Sequence, residues 1–142
     1  MIGRVIGIDP GDARTGVAVS DPLGITAQPR EQIRAKDSGR VAERIAAIAR
    51  EVGAAEIVIG LPVNMNGTEG PRAEHARDLG GRIEAIMGGV KVSFWDERMT
   101  SMQASQVLRG RGKDARKAKM DVVSAQIILQ SYLDARSRGS TS

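Results

Sequence analysis

The stretch VIGIDPGDARTGVAVSD, residues 5–21, joins two apolar runs through a Pro-Gly step and closes the first run with a carboxylate. Residues 4–8 have the length and branched aliphatic content of a short buried strand, and residues 15–20 read as a second. Their connection is too short for a parallel crossover, so the two form an antiparallel hairpin. An apolar core has no use for Asp9 at the mouth of that strand. An Asx-turn, in which Asp before Pro-Gly bonds nearby backbone amides, is one account of it; a charged ligand is the other.

Outward from the hairpin, residues 25–33 supply a third strand that Pro29 confines to an edge or a bulge. Val41, Ile45, Ile48 and Val52 recur at helical spacing, which predicts a helix over 40–52 ended by Gly53. The run EIVIG, residues 56–60, has the continuous apolar character of a strand covered on both faces. Residues 61–70 (LPVNMNGTEG) are loop by composition. A helix follows over 73–87, weakened at Gly80 and Gly81 by about 1 kcal/mol each relative to alanine. Residues 90–95 return to strand. Thr100 and Gln103 have capping-box spacing for a helix to about Leu108, and 120–136 form a last helix. A meander followed by alternating helices and strands is an α/β fold: a mixed five-stranded sheet, part antiparallel and part parallel, with helices on both faces.

The chain has 142 residues, 41% hydrophobic and 27% charged, which suits one domain, placed at 1–137, with a frayed tail at 138–142. Phe94, Trp95 and Tyr132 are its only aromatics, which argues against a base-stacking platform. With 21 Lys+Arg against 17 Asp+Glu, the net charge of +4 permits a polyanionic partner without demanding one. The absence of cysteine removes disulfides, thiol nucleophiles and cysteine-bound zinc. The single His75 excludes a multi-histidine metal site and sits on the polar side of its helix, as a surface residue. The first apolar run is too short for a signal peptide or a membrane span, so a reducing cytoplasm is the default expectation. Any metal chemistry must then use oxygen ligands.

Three carboxylates stand where an α/β sheet gathers a site. Asp9 ends the first strand. Glu97 ends the last strand, and alternation sets Lys91, Ser93, Trp95 and Glu97 on one side against Val90, Val92, Phe94 and Asp96 on the other. The plain alternative for Glu97 is a solvated strand end with Arg98 as its local partner. Asp121 opens a helix that is apolar around most of its circumference, where an unpartnered carboxylate is costly. Its alternatives are a helix N-terminal acid or the partner of a nearby arginine. Three converging acids would suit Mg²⁺ or Mn²⁺, and two such ions about 3.5–4 Å apart can promote phosphodiester hydrolysis.

Four ordered blocks, GIDPGDARTGVAVSD, GLPVNMNGTEG, DERMTS and KMDVVSAQIILQSYLD, resemble the motif blocks of the YqgF family over residues 2–136. Its members are described as pre-16S rRNA nucleases or Holliday-junction resolvase-like proteins with a ribonuclease H-like fold. The resemblance implies that Asp9, Glu97 and Asp121 are the catalytic, metal-holding acids. It sets Arg14 and Arg98 to meet phosphate, and Asn64, Asn66, Gly67 and Glu69 to line the substrate groove. It implies pre-rRNA as substrate, with branched DNA as the alternative, and allows a homodimer. Two positions depart from the pattern: Asn66 stands where the family often has Asp, and Ser124 stands where related junction resolvases carry another acid. A ligand from that loop and a four-acid site are therefore not implied.

The stretch RGRGKDARKAK, residues 109–119, holds six basic residues and one acid. Arg109, Arg111, Lys113 and Lys117 could follow a phosphate backbone; a solvated loop is the plainer reading. Two further classes stay open. DPGDARTG also resembles the phosphate loop of actin and sugar kinases, and a nucleic-acid-binding factor without catalysis would need no metal.

Overall fold

The computed structural model describes residues 3–99 and 120–139, with the side chains of 120–122 outside that description. The helix expected over 100–108 and the basic stretch 109–119 lie outside the described residues. The elements are β1 (Arg4–Asp9), β2 (Arg14–Ser20), β3 (Ala27–Arg34), α1 (Ser38–Val52), β4 (Ala54–Leu61), α2 (Pro71–Ile86), β5 (Lys91–Asp96), a single 3₁₀ turn (Glu97–Met99) and α3 (Met120–Gly139). The last helix thus continues two residues into the stretch expected to fray.

One five-stranded sheet has the order β3-β2-β1-β4-β5. The hairpin is antiparallel, with Asp9 opposite Gly16. β1–β4 and β4–β5 are parallel, as continuous apolar strands joined by helices require. Pro29 does sit in an edge strand. The β2–β3 register slips there, pairing Val17 with Glu31 and Ala18 with Pro29, so Arg30 is the extra residue of a bulge.

Strand alternation divides the core in two. Ile6, Ile8, Val17, Val19, Ile57 and Ile59 face α1 and α2, meeting Ile45, Ile48, Leu79 and Ile83. Val5, Ala18 and Val58 face α3 through Ala125, Leu129 and Leu133. α1 begins two residues earlier than its apolar pattern because the Asp37 carboxylate accepts from Gly39 N at 2.8 Å and caps it. It ends at Gly53 in the left-handed region, φ 68°. α2 passes through Gly80 because a Cβ there would lie 2.6 Å from Phe94 Cζ. The helical penalty of that glycine is offset by room for the β5 aromatic ring. Among the described residues, no helix is long and apolar enough to cross a membrane.

Candidate active site

β1 turns Val5, Gly7 and Asp9 toward α3, opposite to Ile6 and Ile8. A Cβ on Gly7 would lie 2.5 Å from Leu129 Cβ and 3.1 Å from the Ala125 carbonyl oxygen, so β1 and α3 touch almost backbone to backbone. Val5 shares a cluster with Leu133, while Gly7 meets Leu129 and Ala125. α3 therefore runs antiparallel to β1. Asp121, one turn before Ala125, belongs at the end of the sheet where Asp9 stands. Its side chain lies outside the described atoms.

Asp9 is flanked by two glycines. Gly16 is its antiparallel partner, and one step beyond the Ile8–Ile59 pair of the parallel ladder stands Gly60. The space that a Gly60 side chain would take is shared by Ile128, whose Cδ1 lies 2.6 Å from the position of the missing Cβ, and Glu97, whose Oε1 lies 2.9 Å from it. Asp9 and Glu97 thus occupy the same face of the sheet, one strand apart, as alternation along β5 requires. Trp95 packs with the α3 cluster and Phe94 with the opposite one.

The electrostatics separate Glu97 from its neighbour. Arg98 does not serve Glu97: its Nη2 donates to Asp96 Oδ2 at 2.8 Å, and its backbone N to Asp96 Oδ1 at 2.9 Å. That guanidinium holds the Asp96 carboxyl below its ordinary range. Glu97 moves the other way. Burial pushes its pKa up, the charge of Arg72 partly opposes that, and the Asp96 carboxylate adds to it. Among the described residues, no hydrogen bond or ion pair to Glu97 is found.

Other residues singled out in the sequence act on loops. The 61–70 loop is a small hairpin bridged at Val63 and Glu69, with Gly67 at φ 88°. Asn64 Nδ2 donates to Thr68 Oγ1 at 3.0 Å, and Asn66 Oδ1 accepts from the Thr68 hydroxyl at 2.6 Å. Glu69 is held by Arg77 at 2.6 and 2.7 Å. Arg98 Nη1 reaches the Asn64 and Met65 carbonyls at 3.4 and 3.5 Å, tying this loop to the end of β5. Arg14 is exposed at the start of β2. Arg109, Arg111, Lys113 and Lys117 lie outside the described residues.

His75, expected at the surface, is half-buried, and its Nε2 lies 3.1 Å from the Gly11 carbonyl oxygen. A carbonyl only accepts, so Nε2 carries the proton, and α2 thereby anchors the turn that follows Asp9. Gly11 is needed in that turn: a Cβ would lie 2.2 Å from the Arg14 carbonyl oxygen. Sequence reasoning also passed over Glu56. It is 6% exposed and sits on the α3 face at the other end of the sheet. A charge inside the apolar run EIVIG was the available signal.

Among the described residues, no group of three or more His, Cys, Asp or Glu could hold a metal ion. The two described acids nevertheless suit a hard divalent cation. Both offer carboxylate oxygens, and the side-chain-free position at Gly60 is the cradle in which Glu97 lies.

The profile of the RuvX family, described as Holliday junction resolvase, matches residues 3–135. A protein from Ruminiclostridium cellulolyticum named "Putative pre-16S rRNA nuclease" is 46% identical over 134 residues, covering 92% of this chain and 94% of that one. A protein of the same name from Pelotomaculum thermopropionicum is 42% identical over 138 residues, covering 95% and 89%. Among solved structures, T. thermophilus RuvC in complex with Holliday junction substrate superposes with a TM-score of 0.56 at 19% identity, covering 94% of this chain and 95% of that one. The Fowlpox virus resolvase with substrate Holliday junction DNA gives 0.59 at 11% identity, covering 93% and 97%. These likenesses agree with the ribonuclease H-like sheet described above. With its family profile matched from residue 3 to residue 135 and relatives above 40% identity along nearly the whole length, the chain belongs to the RuvX (YqgF) family.

Proposed function

We propose that this chain is a nuclease that hydrolyses phosphodiester bonds of structured nucleic acid, with the 5′ end of the 16S rRNA precursor as its substrate. The observation that carries the reading is the placement of Asp9 and Glu97 on one face, one strand apart, with Glu97 lying over the side-chain-free position at Gly60. Asp9, Glu97 and Asp121 would hold one or two Mg²⁺ or Mn²⁺ ions. Such ions, when bound, place positive charge against the phosphodiester and acidify water.

The chain's own residues supply the rest. Glu97, buried and without a bonded partner among the described residues, would be favoured in its ionised form by a cation placed beside it. His75, through Gly11, fixes the turn after Asp9 and so the direction of its carboxylate. Arg98, held by Asp96, keeps the 61–70 loop against the end of β5, where that loop would border the substrate. Arg14 is exposed beside the acids and would contact phosphate. Arg109, Arg111, Lys113 and Lys117 would add salt-sensitive backbone contacts from the stretch before α3.

Branched DNA is the second reading, favoured by the family's description as a junction resolvase. Backbone contacts do not report sugar identity, so substrate choice is decided by experiment. Purified protein in Mn²⁺ is offered a precursor 16S rRNA fragment and a four-way DNA junction. Cutting of the RNA at a defined position is expected; efficient cutting of the junction alone would reverse the assignment. Binding of both without cutting of either would make the protein a non-catalytic nucleic-acid factor.

A further inference from the structure

The β2–β3 ladder sets Arg14 directly opposite Arg34. Val17 and Ile33 face the α1–α2 core, so alternation turns both arginines to the other face, the one that carries Asp9 and Glu97. Like charges directly opposed in a ladder repel each other. Six arginines, Arg30, Arg44, Arg77, Arg82, Arg98 and Arg136, each hold a carboxylate at 2.6–3.4 Å. Neither Arg14 nor Arg34 makes an ion pair among the described residues, and both are exposed. Arg34 Nε donates to Gln32 Oε1 at 2.9 Å, which orients the guanidinium and leaves its terminal nitrogens to a ligand.

Position relates this pair to the acids. Gly16 faces Asp9, and Arg14 stands two residues further along β2, roughly 7 Å away. Arg34 is one strand beyond. We propose that Arg14 and Arg34 together clamp a single backbone phosphate flanking the scissile one, so that the bound strand runs from Asp9 and Glu97 across the hairpin turn onto β3. The assignment of the scissile position rests on the nuclease reading above. A planar guanidinium presents two parallel donors to a phosphate, and one monoanionic phosphodiester between two such forks offsets their mutual repulsion.

The test is binding of a short fluorescein-labelled single-stranded RNA to the full chain carrying Asp9→Asn, read by anisotropy at a series of KCl concentrations. Arg14→Gln and Arg34→Gln are each expected to weaken binding roughly five- to ten-fold at low salt. Each should also flatten the slope of log affinity on log salt by about 0.7, the loss of one phosphate of a single strand. The double variant should be little worse than either single one, because both serve one phosphate. Arg34→Gln should leave the thermal midpoint of the free protein unchanged or raise it, since it removes a like-charge contact. Unchanged affinity and slope in both variants, with an Asp9-intact protein that still cuts, would overturn the clamp and leave the nuclease reading standing. Additive losses would overturn the single shared phosphate. A fall in thermal midpoint alongside binding would make Arg34 structural. Failure of the parent protein to bind any nucleic acid would overturn both readings.

Discussion

Two glutamates lie on the same face of the same sheet, at opposite ends, and are treated in opposite ways. Glu56, near the start of β4, accepts from Tyr132 OH at 2.5 Å and Ser93 Oγ at 2.9 Å, with Arg136 at 3.4 Å and Lys91 at 3.8 Å. Tyr132 in turn has its pKa pushed up to about 12, first by burial and then by that bond, so it remains a donor throughout the physiological range. Glu97, just past β5, sits over a glycine with no bonded donor among the described residues, and the nearest arginine in sequence is bound to Asp96 instead. A buried acid that serves the fold is saturated with donors. One held for a ligand is left short of them, at some expense in stability.

Substitutions can break this contrast. The largest effect is expected from Glu97→Gln, which should lower nucleolytic turnover by about 10³ while nucleic-acid binding and the fold persist, as checked by cleavage and circular dichroism. Gly60→Ala removes no acid, yet its methyl would lie 2.9 Å from Glu97 Oε1 and 2.6 Å from Ile128 Cδ1. Turnover should fall by about 10²-fold through displacement of the carboxylate, read as a loss in kcat larger than in KM. Glu56→Ala should do the converse. Chemical denaturation should find it destabilised by about 2–3 kcal/mol, with turnover per folded molecule unchanged.

The smallest effect is a pH dependence. The folded-state pKa of Glu97 is raised above its ordinary 4.5, so the folded protein holds that proton more tightly than the unfolded chain does. Its favourable contribution is complete below the unfolded value and is lost as pH rises through the folded value. A glutamine cannot ionise and escapes that loss. Glu97→Gln should therefore match the metal-free wild type in acid and exceed it near neutrality, by less than about 1 kcal/mol because the group is only partly withdrawn from water. Thermal midpoints across that pH range measure it.

The parts of this molecule that were legible in its sequence are those fixed by local pattern. The hairpin followed from two apolar runs and a short turn, α1 from the spacing of Val41, Ile45 and Ile48, and the face of Glu97 from alternation with Trp95. What stayed hidden depends on register between segments distant in sequence. Gly60 closed an apolar run and looked like a strand end. Its use as a berth for Glu97 follows only once β4 and β5 are aligned. Arg98 is adjacent to Glu97 in sequence and two residues from Asp96, yet it serves Asp96, which stands on the other side of the alternation from Glu97. Glu56 was read as part of a buried strand without its donors, because Tyr132 and Arg136 reach it from the far end of the chain. His75 matched the polar side of α2, and the carbonyl it meets belongs to a turn 64 residues earlier.

The proposal that Asp9 and Glu97 share a cation is tested most directly by Mn²⁺ binding to the full chain, read by electron paramagnetic resonance in wild type, Asp9→Asn, Glu97→Gln and Glu56→Gln. Asp9→Asn and Glu97→Gln are each predicted to weaken Mn²⁺ binding at least about ten-fold, with Glu56→Gln indistinguishable from wild type. Equal Mn²⁺ affinity in all four proteins would contradict it.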